Sequence, residues 1–78
     1  MNTQETVIAI LSELSGCADI ELTSTLSGDL GLDSMLMVSM LIEFETSFNI
    51  EFDESDMNPY DLETVSDAVD LVVRYVGE

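Results

Sequence analysis

The apolar residues near the N-terminus recur at the spacing of a helix. Four of them follow the i, i+3, i+4, i+7 pattern that places side chains on one helix face: Val7, Ile10, Leu11 and Leu14. Asn2 and Glu5 have the spacing of a capping box, and Gly16 stands where a left-handed C-cap ends a helix. The sequence therefore predicts a first helix that begins at Asn2 or Thr3.

The central segment is apolar on two sides. At roughly 100° per residue, one arc is the expected core face of a helix over residues 34–47 and its end: Met37, Met40, Leu41, Phe44 and Phe48. Met35, Val38 and Ile42 fall on the opposite side and form what we call the outward stripe, with Glu43 and Glu45 on its flanks. The stripe is either an exposed docking surface, with Met35 as an adaptable contact, or it is covered by a neighbouring loop.

Residues 16–33 have no clear periodicity and predict a long loop. A connection of this length is usually functional, and this one leads to Ser34. Isolated apolar residues are expected to hold it on the core: Ile20, Leu22, Leu26, Leu30 and Leu32. Gly28 and Gly31 are interpreted as turn residues with positive φ rather than a phosphate-binding loop, because no strand precedes them and the loop has no lysine.

After the central helix, residues 49–52 alternate between polar and apolar side chains. With no partner strand available, we expect an extended connection held by Ile50 and Phe52 rather than a strand. One short helical turn is predicted around residues 55–58, ended by Pro59.

A last helix is predicted from Thr64, which has Asp67 at capping-box spacing, to Gly77. Its expected buried stripe consists of Val65, Ala68, Val69, Val72 and Val76. Arg74 suits the negative end of the helix dipole. Tyr60 and Tyr75 are both interpreted as packing residues.

The charge balance excludes several classes of ligand. The chain has 17 acidic residues, a single Lys or Arg and a net charge of −16. Because nucleic acids and anionic membranes are bound by clusters of Lys and Arg, neither is an expected partner. Proteins with basic surfaces are expected instead, and salt should weaken their association.

Several chemistries are also excluded. The sequence has no His, and its one basic residue is Arg74, so a Ser-His-Asp triad, a histidine base and a lysine Schiff base are impossible. Cys17 is the only cysteine, which rules out an intramolecular disulfide, and we expect it to be a partly buried apolar residue. The acidic segment from Asp53 fails as an EF-hand, since Asn58 and Thr64 replace the required Gly and Glu. No metal site is predicted.

The length of 78 residues allows one domain, expected to span residues 1–78. The 46% hydrophobic content argues against disorder. No signal peptide or membrane span is recognisable, which favours a cytoplasmic protein.

Ser34 has two interpretations. Taken alone, it is an N-cap that accepts a hydrogen bond from a backbone N–H of the first helical turn. Its context is more specific, because Gly-Asp-Leu-Gly-Leu-Asp-Ser-Met ends a long loop and opens a helix, and Glu-Thr-Val-Ser-Asp-Ala-Val follows downstream. With these motifs the chain resembles the acyl carrier protein family over nearly its whole length.

The resemblance implies an all-α fold, an up-and-down four-helix bundle with a long first loop and a short third helix. It implies that Ser34 carries a phosphopantetheine arm from coenzyme A, attached by a phosphopantetheinyl transferase that recognises Asp33. The chain would then be a monomeric, non-catalytic carrier of acyl or aminoacyl groups as thioesters. Its partners would be an acyl- or aminoacyl-loading enzyme and synthase, condensing and tailoring enzymes.

One departure from the family narrows the pathway. Fatty-acid carriers usually have acidic residues at the positions of Leu36 and Ser39, which here are uncharged. This favours a polyketide or nonribosomal-type pathway over fatty acid synthesis. The expected docking residues are those of the outward stripe, Met35, Val38 and Ile42, with Glu43 and Glu45 as an acidic rim. A hypothesis of another class is an unmodified acidic interaction module with Ser34 as a cap, whereas a hydrolase is excluded because Ser34 has no base.

Overall fold

The computed structural model describes residues 2–77, which form three α-helices. They are α1 (Thr3–Ser15), α2 (Ser34–Phe48) and α3 (Val65–Val76), and α1 packs against both α2 and α3. Two single-turn 3-10 segments, Glu54–Asp56 and Pro59–Asp61, lie between α2 and α3. The predicted helical bundle is confirmed, and its short third helix is these two turns. No helix among residues 2–77 is long and apolar enough to cross a membrane.

The helix ends follow from local chemistry that the sequence predicted. Asn2 Oδ1 accepts a hydrogen bond from the Glu5 amide at 2.8 Å at the start of α1. Thr64 and Asp67 form a complete capping box at the start of α3. Gly16 and Gly77 end their helices in the left-handed region, with φ of 73° and 79°, a conformation that favours glycine.

The core is built around Phe44, which is fully buried on α2. Of the residues predicted for the core face of α2, Phe48 is only partly buried. Leu14 on α1 and Val76 on α3 are likewise partly buried, at the ends of their helices, while Leu71 is a core residue that the predicted stripe of α3 omitted. The other fully buried large side chains are Leu11, Leu26, Met40, Leu41, Val7, Val65 and Val72.

The long loop is fixed to the core and to the start of α3. Leu26, Leu30 and Leu32 are buried as expected, whereas Leu22 is 37% exposed. The Leu26 amide donates to the Glu63 carbonyl at 2.9 Å, next to an isolated β-bridge between Thr25 and Thr64. These bonds hold the middle of the loop. The Leu32 amide donates to the Leu26 carbonyl at 3.0 Å, which ties the end of the loop, next to α2, to the same point.

The two loop glycines serve different purposes. Gly31 has a φ of 68°, as predicted. The prediction of positive φ for Gly28 is wrong, because within residues 2–77 the glycines with positive φ are Gly16, Gly31 and Gly77. A Cβ at Gly28 would lie 2.7 Å from Thr25 Oγ1, so close approach rather than a left-handed backbone explains this glycine.

Asn49 ends α2 in the left-handed region with a φ of 53°, so the extended connection predicted for residues 49–52 is wrong at its first residue. Residues 50–52 form no helix or strand, with Phe52 buried and Ile50 partly buried. The first 3-10 turn begins and ends slightly earlier than predicted, and Pro59 begins the second turn rather than ending the first. Tyr75 packs edge-on against Phe52, with ring centroids 4.8 Å apart. The packing prediction for Tyr60 is wrong, since its side chain is 87% exposed.

Candidate functional site

Ser34 is the first residue of α2, and Asp33 before it is the N-cap. Asp33 Oδ1 accepts a hydrogen bond from the Leu36 amide at 2.9 Å, and the Asp33 carbonyl accepts one from the Met37 amide at the same distance. The interpretation of Ser34 as the cap is therefore wrong. Its exposed hydroxyl is left out of the capping of the first turn.

The backbone around Ser34 suits a negatively charged group. The amides of Ser34 and Met35 are in the first turn of α2, where helix geometry leaves them without an intrahelical acceptor. The positive end of the helix dipole adds to their attraction for an anion. A phosphodiester on the Ser34 hydroxyl fits this position.

A groove of about 420 Å³ lies beside Ser34, between the start of α2 and the second 3-10 turn. We call it the Ser34 groove. Its apolar lining residues are Leu32, Met37 and Leu62. Its polar lining includes Tyr60, Asp61, Glu63 and Asp67. The surface beside Ser34 therefore offers both apolar and hydrogen-bonding groups.

The outward stripe is exposed. Met35 is 79% accessible, Val38 41% and Ile42 51%, so no loop among residues 2–77 covers these side chains. A shallow depression of about 390 Å³ is lined by Met35, Val38, Ser34 and Ser39. An exposed apolar surface thus adjoins the Ser34 hydroxyl directly.

The two acids that flank the stripe differ in their surroundings. Glu43 is exposed. Glu45 is half-buried, and its Oε2 accepts a hydrogen bond from the Phe52 amide at 2.8 Å, so it also holds the connection after α2. The first turn of α2 has no acidic residue, and at the two uncharged positions Leu36 is half-buried while Ser39 is exposed.

Asp67 is the acid of the Ser34 groove with a perturbed titration. Its carboxylate accepts hydrogen bonds from the Thr64 and Glu63 amides, and these bonds hold its pKa below the usual value for aspartate. Asp67 therefore stabilises the start of α3. In the part of the chain from residue 2 to 77, no three acidic or thiol side chains converge as metal ligands.

The sequence pattern did not reveal the capping role of Asp33 or the position of Tyr60 in the groove. Asp33 and Ser34 are both good caps, and the pattern alone did not decide which of them precedes the helix. Tyr60 lies in an aperiodic segment, and the only sequence signal for its position in the groove is the closeness of an aromatic residue to the third-helix segment.

Comparisons with known proteins agree with this geometry. The family described as the phosphopantetheine attachment site matches residues 5–72. The acyl carrier protein of Thermotoga maritima is 32% identical over 73 residues, which cover 91% of this chain and 88% of that protein.

Among solved structures, the apo doublet acyl carrier protein from prodigiosin biosynthesis has the same fold, with a TM-score of 0.77 at 24% identity. The match covers 94% of this chain and spans 35% of the doublet's length. The family consists of carriers that hold phosphopantetheine and are not themselves enzymes. The capped helix start, the exposed serine and these matches lead to one conclusion, that the chain belongs to the acyl carrier protein family.

Proposed function

We propose that the chain carries its phosphopantetheine arm on Ser34 and shuttles acyl or aminoacyl groups in a specialised biosynthetic pathway. The observation that carries the proposal is the Ser34 hydroxyl, exposed at the first position of α2 while Asp33 makes the capping bond. Replacing its hydrogen with a phosphodiester therefore removes no capping bond.

The attachment must be catalysed by another protein. The sequence contains no His or Lys that would activate Ser34 as a nucleophile. A phosphopantetheinyl transferase using coenzyme A supplies this chemistry, and we propose that it recognises Asp33. Once attached, the arm provides the thiol that holds cargo as a thioester. The chain's own residues present the attachment point and an adjacent surface for partners.

We propose that loading, condensing and tailoring enzymes dock on the outward stripe. Burial of Met35 and its neighbours removes apolar surface from water, and Glu43 and Glu45 offer charges to basic residues of a partner. The net charge of −16 steers such partners over a longer range. Exposure of the stripe beside Ser34 supports this proposal.

The pathway proposal depends on two positions near the start of α2 where carriers of fatty acid synthesis usually have acidic residues. Leu36 and Ser39 are uncharged, and the accessible surface beside Ser34 is apolar. This supports a polyketide or nonribosomal-type system in which partners contact an apolar surface. A carrier of fatty acid synthesis is the alternative, and family membership is compatible with both.

Mass spectrometry tests the attachment site. The apo protein is incubated with coenzyme A and a broad-specificity transferase, and we expect the gain of one phosphopantetheine group. Ser34→Ala should gain nothing, while Ser39→Ala, which changes an exposed serine on the same helix, should be modified like the parent. An unmodified parent protein would favour the acidic interaction module, and a modified Ser34→Ala protein would place the arm elsewhere.

The pathway is tested by adding the missing charge. Ser39→Glu places an acid at the exposed position beside Ser34. As a control, Ser47→Glu adds the same charge farther along α2, about 20 Å from Ser34. We expect enzymes of fatty acid synthesis to accept the Ser39→Glu holo protein better than the parent, with no gain for Ser47→Glu. Efficient use of the parent by those enzymes would favour the fatty acid alternative.

A further inference from the structure

The chain between Phe52 and Thr64 is firmly held at its C-terminal end. The Glu63 carbonyl accepts a hydrogen bond from the Leu26 amide. The Glu63 and Thr64 amides donate hydrogen bonds to Asp67 Oδ2 at 3.0 and 3.1 Å. This end is therefore fixed by the long loop and by α3 together.

The N-terminal end of the same segment is held by Glu45, which accepts a hydrogen bond from the Phe52 amide, and by side chains from the last turn of α3. The Tyr75 hydroxyl accepts a hydrogen bond from the Asp53 amide at 2.9 Å and donates one to Asp56 Oδ2. Arg74 Nη2 lies 3.9 Å from the other carboxylate oxygen of Asp56. The Tyr75 ring packs against buried Phe52 at an interplanar angle of 89°. We call these contacts of Tyr75 with Asp53 and Asp56 the Tyr75 anchor.

Residues 57–62 span the distance between these two attachments, and we call them the strap. Its polar contacts are local, because the Asp61 amide donates to the Asn58 carbonyl at 3.1 Å and the Tyr60 amide to Asn58 Oδ1 at 3.0 Å. Met57 and Leu62 are partly buried against the core. Single 3-10 turns have poor hydrogen-bond geometry and do not hold their shape alone. The position of the strap therefore depends on its ends and on the packing of Met57 and Leu62.

The strap forms one wall of the Ser34 groove. Tyr60, Asp61 and Leu62 all line that groove, opposite Ser34 and Met37. Tyr60 has an exposed aromatic ring and hydroxyl, and it lines the same groove as Ser34. Any movement of the strap changes the surface that an arm on Ser34 encounters.

From these contacts we infer that Tyr75 is a positioning residue for the carrier site. Its hydroxyl fixes the N-terminal end of the strap, and the strap in turn holds Tyr60 against the arm. The part of this inference that concerns the arm rests on the proposed attachment at Ser34. The part that concerns the strap does not, because it is a property of the apo protein.

Tyr75→Phe tests the anchor, since it keeps the ring packed edge-on against Phe52 and removes only the hydroxyl. Amide solvent exchange is followed by NMR in the apo protein. Loss of the hydrogen bonds should speed exchange at Asp53, Asp56 and Asp61 roughly two- to tenfold. The Asp61 amide is hydrogen-bonded to the Asn58 carbonyl and not to Tyr75, so its exchange rate reports on the strap itself.

Ile10→Val is the matched control, because it lowers global stability by shortening a core side chain on α1. Strap amides that exchange through local opening should keep their parent rates in this variant. The inference is overturned if Asp61 exchanges at the parent rate in Tyr75→Phe. It is also overturned if Ile10→Val speeds amide exchange in the strap as much as Tyr75→Phe does.

The holo protein tests the consequence for the arm. We expect nuclear Overhauser contacts between the Tyr60 ring and the arm in the parent, and about half their intensity in Tyr75→Phe, since a less restrained strap divides its time between positions. Equal contacts in both proteins would overturn a positioning role. A parent protein that accepts no arm would refute the proposed function, while the exchange result on the anchor would still be decided.

Discussion

Removing the Asp33 cap should weaken α2 by a predictable amount. The carboxylate accepts the Leu36 amide at 2.9 Å, and in Asp33→Ala that amide loses its protein acceptor. Ser34 does not replace the cap, because it is already inside the helix. Loss of an N-cap of this kind costs about 1 kcal/mol. In a domain of this size that corresponds to a fall in Tm of about 4–8 °C.

Asp33→Asn is the matched control for charge. Asparagine caps about as well as aspartate, and both variants remove one negative charge from a protein of net charge −16. The difference between Asp33→Ala and Asp33→Asn therefore measures the capping bond alone. We expect the unfolding free energy of the Asn variant to lie within about 0.5 kcal/mol of that of the parent.

The assay is urea unfolding followed by far-ultraviolet circular dichroism, at one fixed salt concentration. Equal unfolding free energies for Asp33→Ala and Asp33→Asn would refute the reasoning, because the capping bond would then contribute nothing. The same pair of proteins also separates two roles of Asp33. If the transferase recognises the Asp33 carboxylate, the Asp33→Asn protein keeps the stability of the parent but is modified more slowly.

Four further outcomes are expected. Ile42→Asp should change the unfolding free energy by no more than about 0.5 kcal/mol, because the side chain is 51% exposed, and should slow transfer of cargo by partner enzymes; a large loss of stability would contradict it. Phe44→Ala should cost roughly 3–5 kcal/mol in the same urea assay, since Phe44 is fully buried, and a cost below about 1 kcal/mol would be inconsistent with that burial. The pKa of Asp67 is lowered in the folded state, so its stabilisation is present above the unfolded pKa near 4 and is lost as the pH falls through the lower folded pKa. The stability of the parent should therefore exceed that of Asp67→Asn by more at pH 6 than at pH 2, and a difference independent of pH would contradict this assignment. Added salt should raise the Tm of the parent by screening self-repulsion at a net charge of −16, and a Tm that falls or stays constant would count against it.

The parts of the fold that the sequence predicted are those decided by neighbouring residues. Asn2, Gly16, Thr64 and Gly77 set helix ends through side chains or backbone angles within a few positions, so local rules located them. The exposure of the outward stripe was left open because it depends on where a distant loop runs. The 3.6-residue period identified two apolar faces of α2 but did not say which of them a loop covers.

The features that the sequence missed have different causes. The Tyr75 anchor joins residues 19 and 22 positions apart, a pairing that no local pattern contains. Tyr60 was expected to pack because aromatic side chains usually do, yet the short turns on which it lies leave it facing the Ser34 groove. Gly28 was interpreted through its backbone angle, whereas its actual constraint is the Thr25 side chain.

The division of labour between Asp33 and Ser34 has a consequence for the working cycle. Since the aspartate closes the helix end, the neighbouring oxygen is chemically available without being structurally required. With the arm on Ser34, as proposed, attaching, charging and discharging it should leave the scaffold equally well folded at every stage. Enzymes that bind the protein would then distinguish its states by the arm and its cargo, on a scaffold whose fold is the same at each stage.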